Sequence, residues 1–116
     1  MAIDVVWFKR DLRIRDHAPL LAAAESGRPI LCLMLLEPLR IKQPDVDPIH
    51  LQWELDVAER LDRDLRRRGG ALHVVHADAV EALSSLHDKH AVHTVHAHEE
   101  TGVQWSYDRD KDVASW

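Results

Sequence analysis

Seven of the nine residues from Lys9 to His17 can carry charge, and they follow directly on the apolar run Ile3 to Phe8. Such a run suits a strand covered on both faces, and the charges suit the loop leaving its C-terminal end. The segment Lys9-Arg10-Asp11-Leu12-Arg13-Ile14-Arg15 could receive an anion. It could equally lock itself by pairing its arginines with Asp11, Asp16 and neighbouring carboxylates. Neither reading prevails from the residues alone, and a locked loop can still frame a pocket. Seven histidines, His73, His76, His87, His90, His93, His96 and His98, fall within 26 positions. His96 and His98 would share a strand face beside Glu99, which raises a metal site as one reading. Their spacing matches no closed zinc pattern and the only cysteine, Cys32, lies more than sixty residues away. Scattered surface or strand-end histidines are therefore the expectation, with no metal ligand assigned.

Glu99-Glu100 could act as a carboxylate pair in acid–base work. No nucleophile accompanies it, so a binding role in a loop, or a charge effect at a helix N-terminus, fits better. Arg66-Arg67-Arg68 reads as a solvated face with cations at the negative end of a helix dipole rather than as a phosphate site. Trp105 and Trp116, eleven residues apart, fall on nearly one helix face. They could stack on a flavin or relay electrons, but core or interface packing is the simpler expectation. There is no G-x-G-x-x-G after the first strand and no lysine-bearing phosphate loop, so common nucleotide-binding chemistry has no support. Tight ATP binding dependent on Arg10 would be needed to revive it.

The elements that must position these residues alternate. After the first strand, Asp16 is placed to cap a helix with Pro19 in its first turn; the helix runs through Leu20–Ser26 and stops at Gly27. For Ile30–Leu36, rich in Leu and Met, a buried helix is the rival reading, but so short a run between Pro29 and Pro38 favours a second strand. Residues 38 to 49 hold three prolines and no periodicity, which predicts a long loop. A long helix follows from about Pro48 or Leu51 to Arg68, with Leu51, Leu55, Ala58, Leu61 and Leu65 on one face. Asp56–Arg60, Glu59–Arg63, Asp62–Arg66 and Asp64–Arg68 set each acid four residues before a base, worth about a few tenths of a kcal/mol per pair. Gly69-Gly70 ends this helix. Ala71–His76 is a third strand, and Asp78 with Glu81 resembles a capping box opening a helix with Val80, Leu83 and Leu86. Val92–Ala97 is a fourth strand. The last helix includes Trp105, Arg109, Asp112, Val113 and Trp116.

Strand and helix thus alternate four times, which predicts an α/β fold: a Rossmann-like, doubly wound parallel sheet of about four strands with helices on both faces. In that arrangement Lys9–Asp11, Glu37 and Glu99–Glu100 gather along the edge where ligands bind in open parallel sheets. Composition agrees with one globular domain over residues 1–116: 46% hydrophobic, 30% charged, with no apolar stretch near a membrane span. Net charge is −5 with nine neutral histidines, so the overall field does not attract nucleic acid. No signal-type leader opens the chain and the lone Cys32 has no internal partner, so a reducing, cytoplasmic setting is expected.

The opening Val5-Val6-Trp7-Phe8-Lys9-Arg10-Asp11-Leu12-Arg13, followed by Arg15-Asp16-His17-Ala18-Pro19-Leu20, resembles the start of the DNA photolyase and cryptochrome family. Glu37-Pro38 is similar to that pattern, as is His98-Glu99-Glu100-Thr101-Gly102 with Trp105, Tyr107, Arg109, Asp110 and Val113. The resemblance implies the family's N-terminal α/β antenna domain. Family members repair pyrimidine dimers with photoexcited reduced FAD, or signal in blue light. Many carry a second chromophore, a folate, deazaflavin or flavin, that passes energy to the FAD. The pocket residues the resemblance implies are Phe8, Arg10, Asp11, Leu36, Glu37 and Glu99; in folate-type members the acid after the fourth strand again points to Glu99. The family's FAD and DNA sites lie in a C-terminal helical domain absent from these residues, and a fifth strand is missing too. The expectation is a fragment or truncated domain, non-catalytic alone. It would serve a helical FAD-binding domain or separate chain and meet DNA only indirectly. The alternatives are a vestigial interaction module and a homodimer through the sheet edge or last helix.

Overall fold

The computed structural model describes residues 2–9, 11–15, 17–42, 48–98 and 104–116. Its elements in chain order are β1 (Ile3–Phe8), α1 (Ala18–Glu25), β2 (Ile30–Leu35), α2 (Pro38–Ile41), α3 (Pro48–Arg67), β3 (Leu72–Val75), α4 (Ala79–His90), β4 (Val92–His96) and α5 (Gln104–Ser115). The four strands form one parallel sheet in the order β3-β2-β1-β4. Strand alternation divides the core in two. Val6 and Phe8 of β1, with Cys32 and Met34 of β2, face Ala23 of α1 and Ala58, Leu61 and Leu65 of α3. Val5 and Trp7, with Leu33 and Leu35, face Ala79, Ala82 and Leu83 of α4 and Val113 of α5. The sheet is therefore doubly wound, and its central strands are apolar on both faces because helices cover both.

Local chemistry explains where the elements depart from expectation. The N-cap of α1 is His17, not Asp16: the His17 Nδ1 accepts the Leu20 amide at 3.1 Å, an imidazole doing what a carboxylate was expected to do. The segment after Pro38 is not all loop, since Pro38–Ile41 makes one helical turn. On α3 the buried stripe is Glu54, Ala58, Leu61 and Leu65, whereas Leu55 is exposed; the stripe repeats at i, i+4, i+7 and i+11, and Leu55 falls beside it. Asp62 pairs with Arg66 as expected, at 2.9 Å, while Asp64 reaches Arg67 at 3.7 Å, one residue short of the expected Arg68. The other Asp62 oxygen accepts the Leu72 amide at 2.9 Å and fixes the start of β3. Asp78 is the N-cap of α4, but its side chain makes no capping bond. Val80 is exposed, and Ala79, Ala82 and Leu83 carry the buried face.

Gly69 closes α3 at φ +85°, where a left-handed turn lets the Gly70 amide reach back to the Leu65 carbonyl at 2.8 Å. Ala91 does the same for α4 without a glycine's freedom, at φ +55°. The His87 ring braces that turn, its Nδ1 accepting the Val92 amide at 3.0 Å. Between Ile3 and Asp4 the β1–β4 register slips by one, so His93 is an extra residue in β4.

Candidate functional site

The strand tips at Phe8, Leu35, Val75 and His96 lie along one rim of the sheet, and Lys9, Glu37 and Arg109 bury their charges there. After β1 the Lys9 amide donates to Asp11 Oδ1 at 2.9 Å, which turns the loop back on itself. The Lys9 side chain crosses to the exit of β4, where Nζ donates to the His98 carbonyl at 2.6 Å and pairs with Asp110 of α5 at 3.1 Å. Arg109, next in α5, donates through Nη1 to Glu37 beyond β2 at 2.8 Å and through Nε and Nη2 to Asp110. Lys9 and Arg109 also lie over the Trp7 ring, 4.6 and 4.8 Å from its centroid. The series Glu37–Arg109–Asp110–Lys9–His98 therefore ties three strand exits to one helix above a buried indole. Glu37 and Lys9 are themselves buried, and such charges are tolerable because each is paired.

Two depressions flank this series. The larger, about 550 Å³, is lined by Trp7, Lys9, Val95, His98, Val113 and Trp116 among others. The smaller, about 190 Å³, lies between Glu37 and Arg109 on one side and Asp78, Glu81 and Asp112 on the other. Of the six residues expected at a chromophore pocket, Arg10 and Glu99 lie outside the described residues. Glu37 borders the smaller depression. Asp11 lies in the loop between Lys9 and two histidine rings. Phe8 is wholly buried in the core, 4.6 Å from the His17 ring, and half-buried Leu36 packs against that same core. The expected convergence of Lys9, Asp11 and Glu37 on one edge is present; that of Glu99–Glu100 lies outside the described residues.

Sequence reasoning missed Trp7 as the platform, Asp110 as the linking carboxylate, and His17. The alternation of β1 places Trp7 on the α4 and α5 side and could have pointed to it. The histidines are less scattered than expected. His96 Nε2 lies 2.8 Å from Asp4, a carboxylate fully buried in β1 that also accepts from Arg28 Nε at 2.7 Å. His93, displaced by the register slip, comes within 3.9 Å of the same group. The bond from Arg28 holds the Asp4 carboxyl well below the ordinary carboxylate range, against burial, with His96 adding to it.

A carboxylate depressed in the fold stabilises above its unfolded pKa of about 3.9 and loses that contribution as pH falls. Asp62 shifts in the same direction. Burial lowers His17, so it too withdraws stability as pH drops below about 6.5. The expected result is an acid limb in two stages: a shallow one below neutrality and a steep one that begins at about pH 4 and continues as pH falls further. Asp4→Asn should lower stability at pH 7 and flatten the steep stage, as read by urea denaturation at a series of pH values. An unchanged slope would remove Asp4 from this account.

The sequence model of the DNA photolyase family matches residues 4–116. A deoxyribodipyrimidine photo-lyase of Thermus thermophilus is 38% identical over 71 residues, 61% of this chain and 16% of its own length. The chain thus spans about one sixth of that relative. Among solved structures, a cryptochrome of Synechocystis sp. PCC6803 superposes with a TM-score of 0.91 at 22% identity, over 99% of this chain and 25% of that one. An archaeal photolyase from Sulfolobus tokodaii, described with two FAD molecules as implying a novel light-harvesting cofactor, gives 0.85 at 23% identity, over 97% of this chain and 26% of that one. With the opening motif, the doubly wound sheet and a match over nearly every residue in agreement, the chain belongs to the DNA photolyase family as its N-terminal α/β domain.

Proposed function

We propose that this domain holds an antenna chromophore, a folate, deazaflavin or flavin, at the C-terminal rim of its sheet for energy transfer to FAD in a helical domain. On this reading the domain is non-catalytic alone, works in the cytoplasm and meets DNA only through that helical partner. The observation that carries the reading is the cross-linked rim over Trp7, where three strand exits and α5 build a rigid polar edge beside a depression of about 550 Å³. A depression of that size with apolar walls and a few fixed polar groups is the usual form of a small-molecule site. Rigidity matters because energy transfer depends on a fixed distance and orientation. The Sulfolobus tokodaii photolyase supports the choice of ligand class by analogy.

The test adds a reduced folate, a deazaflavin and FMN separately to the purified chain and follows the absorbance band. One of them should shift its band and saturate, and Trp116→Ala, in the wall of that depression, should weaken that binding. If none of the three binds to folded protein, the antenna reading fails.

A second reading, an interaction module with a vestigial pocket, is favoured by Trp116. Its indole is 44% exposed at the mouth of the larger depression and is held by Ser84 Oγ at 2.8 Å and the His87 ring. Among the described residues β4 pairs only with β1, so its outer edge and this indole form one surface for a helical partner or a second copy. Concentration-dependent dimerisation abolished by Trp116→Lys would support it; a monomer insensitive to that change would not.

A further inference from the structure

Three side chains from separate parts of the chain meet beside the rim. Asp11 follows β1, His17 caps α1 and His98 follows β4. His17 Nε2 and His98 Nδ1 each lie 2.5 Å from the same Asp11 oxygen, and one ligand atom from each residue falls within 4.8 Å of the others. The His17 side chain is completely buried, yet its Nε2 has no directed hydrogen-bond partner. Its approach to Asp11 is close but misaligned. The Asp11 carboxylate is a short ion-pair partner for that nitrogen, and a cation shared by the three groups would satisfy it with better geometry.

We propose that Asp11, His17 and His98 bind a first-row divalent cation, with Zn²⁺ the best match. Two imidazoles and one carboxylate are a borderline donor set suited to zinc, cobalt or nickel, and three protein ligands leave a position for water or an external group. Metal ligands must be deprotonated. Burial disfavours the charged form of His17. Burial also works to raise Asp11, but bonds from His98 and the Lys9 amide outweigh it and hold the carboxyl below its ordinary range. The outer contacts are in place as well: Lys9 supplies its amide to Asp11 and its ammonium to the His98 carbonyl. His98 is 38% exposed and borders the larger depression, which gives an ion its entry path.

Two adjustments accompany binding. A tetrahedral zinc ion sets its ligands roughly 3.3 Å apart, so the Asp11 carboxylate draws back from both rings and half-exposed His98 swings toward His17, while buried His17 stays. His17 Nδ1 now accepts the Leu20 amide, which places the ring proton on Nε2. Ligation through Nε2 moves that proton to Nδ1, which then no longer accepts the Leu20 amide, and the cap is lost. One cap is worth about a five-fold factor, a small deduction from the affinity of a three-ligand zinc site.

The experiment titrates the purified chain with Zn²⁺ by calorimetry and with Co²⁺ by visible absorbance, and follows Leu20 amide exchange by NMR. The expected result is a single saturable site, Co²⁺ bands of low-symmetry coordination, and faster Leu20 exchange on zinc loading. His98→Ala and Asp11→Asn should each weaken binding about tenfold or more, with circular dichroism confirming the fold. His90→Gln on the exposed face of α4 should leave it unchanged. Absence of saturable binding overturns the proposal, as does equal affinity in His98→Ala or a Leu20 amide that does not respond. This test is independent of the antenna reading, since it uses no chromophore.

Discussion

Arg109→Met should cost the fold about 3–5 kcal/mol, the penalty for stranding one partner of a buried ion pair. Glu37 and Arg109 expose only 3% and 6% of their side chains, and their bond is 2.8 Å long. Methionine fills much of the arginine volume, so the loss is chiefly electrostatic, a carboxylate left buried with its cation gone. The same change frees Asp110 from one of two cations and removes one of the two charges over Trp7. Arg109→Lys should fall between, because an ammonium cannot fork between Glu37 and Asp110. The double variant Glu37→Leu/Arg109→Met should cost less than the two single changes summed, since no charge is left uncompensated. Urea denaturation of the four proteins measures this. A single-variant cost below about 1 kcal/mol, the range of exposed pairs, would mean the pair is solvated rather than buried.

Trp7→Ala should cost about 3–5 kcal/mol, as large-to-small changes of buried aromatics do. That is a large share of the roughly 5–15 kcal/mol total expected of a domain. Trp7 is 2% exposed and packs with Leu33, Leu35 and Leu83 on the α4 side of the sheet. Its other role is as the floor on which Lys9 and Arg109 lie. Trp7→Phe should recover most of the stability but weaken the cation contacts, because phenylalanine binds cations less well than tryptophan. Thermal melts of the two variants, each alone and combined with Arg109→Met, separate volume from charge. If Trp7→Phe and Arg109→Met are strictly additive, the stacking contributes nothing.

The sequence made the architecture legible because the apolar runs Ile3–Phe8 and Ile30–Leu36 are short, which favoured buried strands over the rival buried helix at Ile30–Leu36. Which residues fill each face was readable only where the helical stripe was clean. On α3, Ala58, Leu61 and Leu65 were legible, whereas Leu55 and Val80 look apolar in sequence but project beside their stripes. The rim was half legible. Lys9, Asp11 and Glu37 follow strand ends and so had to share an edge. Their bridging by Arg109 and Asp110 depends on how α5 lies across that edge, which no local spacing encodes. The grouping of His17 with His98 was invisible for the same reason: residues 81 positions apart meet only because β4 lies beside β1. His17 as a cap was misread because aspartate is the commoner residue there and stood one position earlier.

The placement of β1 has a consequence for how the molecule is made. β1 leaves the ribosome before either of its neighbours and ends up flanked on both sides, by β2 early and by β4 later, with Asp4 opposite Thr94. Its second flank therefore stays bare until β4 has been synthesised, and closing so distant a pairing is slow. During that interval Val5, Val6 and Trp7 form a sticky nascent edge. Asp4, seated among them and paired with Arg28 while His96 is still to come, keeps a carboxylate on that ribbon, where it discourages premature pairing between neighbouring nascent chains.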